Sequence, residues 1–119
     1  MHEYPITVRI IKIAEDHARK HDATAVKKIN LVVGDYSGYV ASSIELYFEI
    51  IAADTLCATA KLDITRIRPE LQCTNCNKNF LREPFSFTCP LCGGEGRPTK
   101  IGREFYIKSI EIEQNEGEA

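Results

Sequence analysis

Two Cys-x-x-Cys pairs separated by twelve residues constrain this chain more than anything else in it. They read Cys73-Thr74-Asn75-Cys76 and Cys89-Pro90-Leu91-Cys92, with Gly93-Gly94 directly after the second. Each pair makes a tight turn whose two sulfurs converge on one point. Two such turns facing each other supply four thiolates in a tetrahedron, the ligand set of a structural Zn²⁺ site. The intervening stretch is long enough for a small hairpin, and Gly93 and Gly94 permit the positive φ that a turn around a metal uses. The segment between Cys73 and Cys92 has too few apolar residues to fold alone, so the ion takes the place of a core there.

The bland alternatives are two disulfides or four unrelated thiols. Disulfides need an oxidising compartment. Here Met1-His2-Glu3 runs straight into a charged amphipathic pattern, with no apolar signal core and no run of membrane length. The expectation is a cytoplasmic, reducing setting and no membrane contact. Iron competes for the same ligands, because Cys-Pro-Leu-Cys-Gly also suits a rubredoxin-type electron-transfer site. Asn77, and not Gly, follows the first pair, which favours zinc.

The 119 residues, 44% of them hydrophobic, support one modest core plus a small appendage. The formal charge is −2, and four thiolates around one Zn²⁺ make it more negative. That balance argues against nucleic acid, which calls for a basic face. Lys78, Arg82, Arg97, Lys100 and Arg103 do gather in and after the cysteine stretch, with Phe80, Phe85 and Phe87 among them. The plain reading is solvated charges, with aromatics covering the metal.

A helix is expected from Tyr4 or Pro5, with Ile6, Ile10, Ile13, Ala14 and Ala18 as its buried stripe. His17 and His21 follow one another by a turn; a helix-end pair without a third ligand reads as structural. Val26 to Val33 alternates as a strand and ends at a turn, Gly34-Asp35-Tyr36-Ser37-Gly38. Ser42-Ser43-Ile44-Glu45 reads as a capping box opening a second helix to about Ala53, with Ile44, Tyr47, Phe48 and Ile51 inward and Leu46 and Ile50 on a second apolar flank. Cys57 reads as a small buried residue. A second strand runs from Lys61 to Arg68, where Pro69 stops it. A third runs from Arg103 to Glu113, with a bulge near Lys108-Ser109, and Gln114 to Ala119 form an acidic, frayed end.

The expected fold is α+β: two helices packed on a three-stranded mixed sheet, with a zinc-binding loop module inserted between the second and third strands. Residues 1–69 and 100–119 form the α/β domain and residues 70–99 the module. The strand–helix–strand crossover is expected to be parallel, and the second and third strands to pair antiparallel like an extended hairpin.

The first three residues carry a second kind of ligand chemistry. A histidine at position two offers its imidazole, its own backbone nitrogen and the next amide nitrogen, with the Met1 amine adjacent. Such nitrogens form small coplanar chelate rings, a set that suits Ni²⁺ or Cu²⁺ and not Zn²⁺. Glu3 adds a carboxylate that could orient ligands or steer a cation.

Four features together resemble the HypA/HybF family: Met1-His2-Glu3 ahead of an amphipathic helix, Val33-Gly34-Asp35-Tyr36-Ser37-Gly38, the two cysteine pairs, and the closing strand from Phe105 to Glu113. These are nickel metallochaperones of [NiFe]-hydrogenase maturation, and the likeness spans essentially the whole chain. The resemblance implies nickel at Met1, His2 and Glu3, and structural zinc on Cys73, Cys76, Cys89 and Cys92. It also implies delivery to the hydrogenase large-subunit precursor, with a HypB-type GTPase as partner, and a carrier that is not an enzyme. Tyr4-Pro5 departs from the Met/Leu-Ser usual after His-Glu. The module also lacks the extra histidine that some relatives carry, since no histidine follows His21. The rival reading is a zinc-ribbon module that binds protein or nucleic acid.

Overall fold

The computed structural model describes residues 3–83 and 86–114. Met1, His2, Phe85 and the tail after Gln114 lie outside the described residues.

Helix α1 runs from Glu3 to Lys20. Its buried stripe is Glu3, Thr7, Ile10, Ile11, Ala14 and Ala18, with Ile6 half-buried. The expected stripe is thereby rotated: Ile13 is 44% exposed and Ile11 takes its place inside. Ala14 and Ala18, both fully buried, allow the helix to sit close on the sheet, and the face they define passes through Ile11 and not Ile13. Strand β1, Ala23–Gly34, follows after a two-residue turn in which Asp22 takes φ 55°. Helix α2 covers Ala41–Ile51, extended by a 3₁₀ turn over Ala52–Asp54, and buries Ile44 and Phe48. The capping box does not form: Val40 occupies the cap position and no side chain caps the helix. Ser42 lies inside the first turn, and the Val40 N–H bonds to the Glu3 carboxylate of α1 at 2.9 Å.

Strand β2, Lys61–Ile67, lies parallel to β1, as a crossover through α2 requires. The closing strand of this sheet, Phe105–Gln114, pairs antiparallel with β1 and not with β2. The extended-hairpin expectation was therefore wrong. β1 is the central strand, and its length and apolar content fit burial between two neighbours. The expected bulge is present. Asn30 faces Ser109 and Leu31 faces Ile107, leaving Lys108 as the extra residue, which resets the apolar phase from Ile110/Ile112 to Phe105/Ile107. Gln114 belongs to this strand and donates to the His21 carbonyl at 2.8 Å. The two helices and the inner face of the sheet share one core built on Ile10, Ile11, Ile29, Leu31, Ile44 and Phe48. Cys57 is buried in it, and burial, then the nearby Glu15 charge, pushes its thiol up to about 11.

The inserted segment carries its own small sheet. Strand β3, Glu70–Cys73, lies between β4, Asn79–Leu81, and β5, Gly96–Pro98, both antiparallel to it; the closing strand of the large sheet is thus β6. None of the core cluster comes from residues 70–99. Leu71 is fully buried between the small strands, with the Phe80 ring over Gly96.

Candidate metal centre

The sulfurs of Cys73, Cys76, Cys89 and Cys92 all lie within 4.8 Å of one another. Cys73 and Cys92 are 3.4 Å apart, and Cys76 and Cys89 are 3.8 Å apart. A tetrahedron with Zn–S bonds of ~2.3 Å has S···S edges of ~3.8 Å, so the four thiols already stand at the spacing one ion requires. No disulfide joins any of them.

Two equivalent turns bring the sulfurs together. In the first, the Asn77 N–H donates to the Cys73 carbonyl at 3.0 Å. In the second, the Gly93 N–H donates to the Cys89 carbonyl at 2.9 Å. The residue closing each turn is left-handed, with φ 62° at Asn77 and 76° at Gly93. Asn tolerates that conformation better than other side-chain-bearing residues, so the two turns share one backbone despite their different sequences. Asn77 thus does the work of the missing glycine and does not distinguish zinc from iron. The sequence signal was there: an Asn directly after a Cys-x-x-Cys pair is a candidate for this conformation.

The N–H groups of Asn75 and Cys76 point at the Cys73 sulfur, at 3.3 and 3.4 Å, and the Asn75 side-chain amide reaches Cys92 at 3.7 Å. Such donors stabilise a thiolate. The Cys76 N–H is the chief reason that the Cys73 thiol is held below its ordinary value against burial, with the Asn75 N–H adding to it. Cys76 goes the other way. The Lys78 N–H pulls it down, but burial and the sulfurs of Cys73, Cys92 and Cys89 push it up to about 11. Four thiols this close cannot all ionise unaided, and a divalent cation removes that conflict. Gly94 leaves room for the cluster: a Cβ there would stand 3.0 Å from the Cys73 sulfur and 3.3 Å from that of Cys92.

Of the aromatics expected to cover the metal, Phe80 and Phe87 lie among the described residues. Phe80 packs on Gly96 and Leu71, while Phe87 is 45% exposed beneath the Arg82 guanidinium, 4.8 Å from its ring centroid. Arg82 also lies 5.7 Å from the Tyr36 ring, bridging the module to the loop after β1. That loop is the Gly34-Asp35-Tyr36-Ser37-Gly38 segment. Its Gly34 and Tyr36 N–H groups donate to the Glu104 and Gly102 carbonyls, each at 2.6 Å, and its Asp35 N–H to the Ile67 carbonyl at 3.0 Å. The segment therefore locks the root of the module to the ends of β1 and β2.

Of the residues expected at the amino-terminal site, Glu3 is the one that can be placed. It is 5% exposed, and its carboxylate receives the Val40 N–H. Sequence reading missed this tie between the two helix starts, because nothing local links positions 37 residues apart.

Residues 1–112 match the family model described as hydrogenase/urease nickel incorporation, metallochaperone, hypA. The chain belongs to the HypA family. It is 37% identical over 114 residues to the hydrogenase maturation factor HypA of Caldanaerobacter subterraneus subsp. tengcongensis, covering 95% of this chain and 100% of that one. It is likewise 37% identical over 113 residues to HypA of Geobacter metallireducens, with 95% and 100% covered. The solution structure of the Ni metallochaperone HypA from Helicobacter pylori superposes with a TM-score of 0.63 at 28% identity, over 97% of this chain and 100% of that one. HypA membership makes this a nickel metallochaperone of hydrogenase maturation, a non-catalytic role. Among the described residues no helix is long and apolar enough to cross a membrane.

Proposed function

We propose that this HypA protein loads Ni²⁺ at its amino terminus and hands it to the [NiFe]-hydrogenase large-subunit precursor, with a HypB-type GTPase as partner, in the cytoplasm. The observation that carries the reading is the match of the family across residues 1–112, which takes in both the Met1-His2-Glu3 start and the four cysteines. Helix geometry supports it. The first N–H groups of a helix have no intrahelical acceptor. α1 begins at Glu3, so the Glu3 amide nitrogen is not committed to the helix ladder. With the Met1 amine, the His2 imidazole and the His2 nitrogen it makes a nitrogen set suited to square-planar Ni²⁺. Glu3 enters this site through its backbone nitrogen, and its carboxylate positions the start of the helix against Val40.

Residues 70–99 form the zinc module in this reading, apart from a nickel-handling domain of residues 1–69 and 100–119. Cys73, Cys76, Cys89 and Cys92 would hold the zinc, whose contribution is to fasten the two turns together. A four-sulfur site leaves no open position for substrate. Nickel at a chain end with few ligands can pass to a partner by ligand exchange, whereas the four-sulfur ion does not leave.

His2→Ala decides the matter. The variant is expected to lose stoichiometric Ni²⁺ binding in untagged protein while zinc content and the far-ultraviolet dichroism stay unchanged. Unaltered nickel affinity would reject the site. Colour separates the iron reading, since ferric iron on four thiolates absorbs strongly and a zinc protein is colourless. Salt-dependent binding to DNA or RNA would revive the interaction-module reading.

A further inference from the structure

The carboxyl end of α1 and the turn that follows it place two imidazoles together. His17 and His21 are four residues apart, the half-buried and the exposed member of a pair whose ring centroids stand 4.6 Å from each other at 58°. Among the described residues neither ring makes a hydrogen bond or an ion pair. For two imidazoles bound in adjacent positions of one metal ion, bonds of ~2.0–2.1 Å put each centroid ~3.2 Å from the ion and the two centroids ~4.5–5.2 Å apart. The observed separation falls in that window, so the two rings already stand as far apart as they would around one ion.

The backbone at this end is held in place. The His21 N–H bonds the Ala18 carbonyl at 3.1 Å, the His21 carbonyl receives the Gln114 side chain from β6 at 2.8 Å, and Asp22 turns the chain with φ 55°. The helix C-terminus also carries the negative end of the macrodipole, which favours a cation. The nearby Arg19 is already paired with Glu15 at 3.6 Å and Asp16 at 3.4 Å, leaving Lys20 as the opposing charge in the last turn.

From this geometry we infer a second, labile metal site: His17 and His21 chelate one divalent transition-metal ion, with water completing its shell. Imidazole ligands follow the usual order, so Cu²⁺ binds more tightly than Ni²⁺. Eighteen residues of helix rise separate His21 from Glu3, about 27 Å along the axis. The pair therefore cannot supply the missing ligand to amino-terminal nickel in the same chain, and the inference stands whether or not nickel sits there.

The test uses full-length, zinc-loaded, untagged protein carrying His2→Ala, titrated with Ni²⁺ and separately with Cu²⁺. One equivalent is expected to bind, and substoichiometric Cu²⁺ should broaden the His17 and His21 imidazole resonances before any others. Adding His21→Gln, at an exposed helix end where the fold is unaffected, should weaken binding roughly a hundredfold by removing the second arm of the chelate. His17→Ala should do the same, with circular dichroism as its fold control. Unchanged affinity in the His21→Gln protein, or broadening that begins elsewhere, overturns the inference.

Discussion

Glu3 offers the sharpest separation between holding a site in place and ligating a metal. Its carboxylate accepts the Val40 N–H at 2.9 Å, and its side chain is almost wholly buried. A hydrogen bond to a charged acceptor contributes about 1.5–3 kcal/mol. Val40 is 53% exposed, so water can reach part of what Glu3 leaves uncovered, and the loss in Glu3→Ala belongs near the lower end, about 2 kcal/mol once the buried stem is included. Glu3→Gln keeps an amide oxygen for the Val40 N–H and removes the charge. It should cost about 0.5–1 kcal/mol, part of it from the lost anion at a helix N-terminus. Urea unfolding of the zinc-loaded protein measures both. Nickel titration of the same samples then divides the roles. Because Glu3 is taken to meet nickel through its backbone nitrogen, Glu3→Gln should retain stoichiometric binding within about threefold, while Glu3→Ala, which unties the helix start, should weaken it more. Loss of nickel from Glu3→Gln with stability unchanged would mean that the carboxylate itself is a ligand, and the positional argument would fail.

Three further outcomes follow from the geometry. Gly34→Ala would put a Cβ 2.2 Å from the Gly102 carbonyl oxygen and 2.8 Å from the Glu104 nitrogen, all backbone, so β1 and the β6 approach must part and both 2.6 Å bonds there suffer; a loss of about 3 kcal/mol is expected in urea unfolding. Gly38→Ala, where φ is 93° but nothing lies within 4 Å, should cost only about 1 kcal/mol, and equal losses in the two variants would show that space is not what matters at Gly34. Zinc affinity should climb with pH: burial and the neighbouring sulfurs push the Cys76 thiol up to about 11, so throughout the neutral range the ion must displace its proton, and chelator competition between about pH 6 and 8 should give a slope of at least ~1 in log K per pH unit, against which a flat profile would count. Metal removal should abolish amide protection in β3, β4 and β5 while the amides of β1 and the helices stay protected, because the main core takes nothing from residues 70–99; a single cooperative loss across both parts would contradict that division.

Features written into a local pattern could be read from the sequence, and features that depend on long-range placement could not. The two cysteine pairs announced their convergence because Cys-x-x-Cys is a complete turn in itself, and the distances agree. The bulge at Lys108 was legible because it shifts the alternation of a single strand. The stripe of α1 was misread at Ile13, since both Ile11 and Ile13 satisfy an apolar pattern and only the docking of Ala14 and Ala18 selects between them. The Ser42 capping box failed for a related reason: the local motif was sound, but a carboxylate from another helix had already secured the chain at Val40. The antiparallel partner of β6 was missed because a strand's own residues do not say which edge it will join. Its pairing with β1 leaves β2 at the edge of the sheet.

The placement of β6 decides where the two proposed metal sites stand relative to each other. β1 and β2 are parallel and finish at the same end of the sheet, and β6, antiparallel to β1, starts there. The chain therefore leaves for the module and returns from it at that end, past Pro69 and Gly102. These two are packed so closely that a Cβ on Gly102 would stand 2.7 Å from the Pro69 Cα. The first helix begins at this end too, since Glu3 reaches Val40 across the loop after β1. One side of that loop secures the module through Gly34, Tyr36 and the Arg82 guanidinium; the other meets the start of α1, where the Val40 N–H donates to the Glu3 carboxylate. The four-sulfur site is supported by two closed turns and a chain fixed at both of its exits. In the proposed nickel site Glu3 supplies a backbone nitrogen, and its carboxylate ties the start of α1 to Val40. A metal held by the first arrangement has nowhere to go, whereas one held by the second can be withdrawn ligand by ligand without disturbing the core.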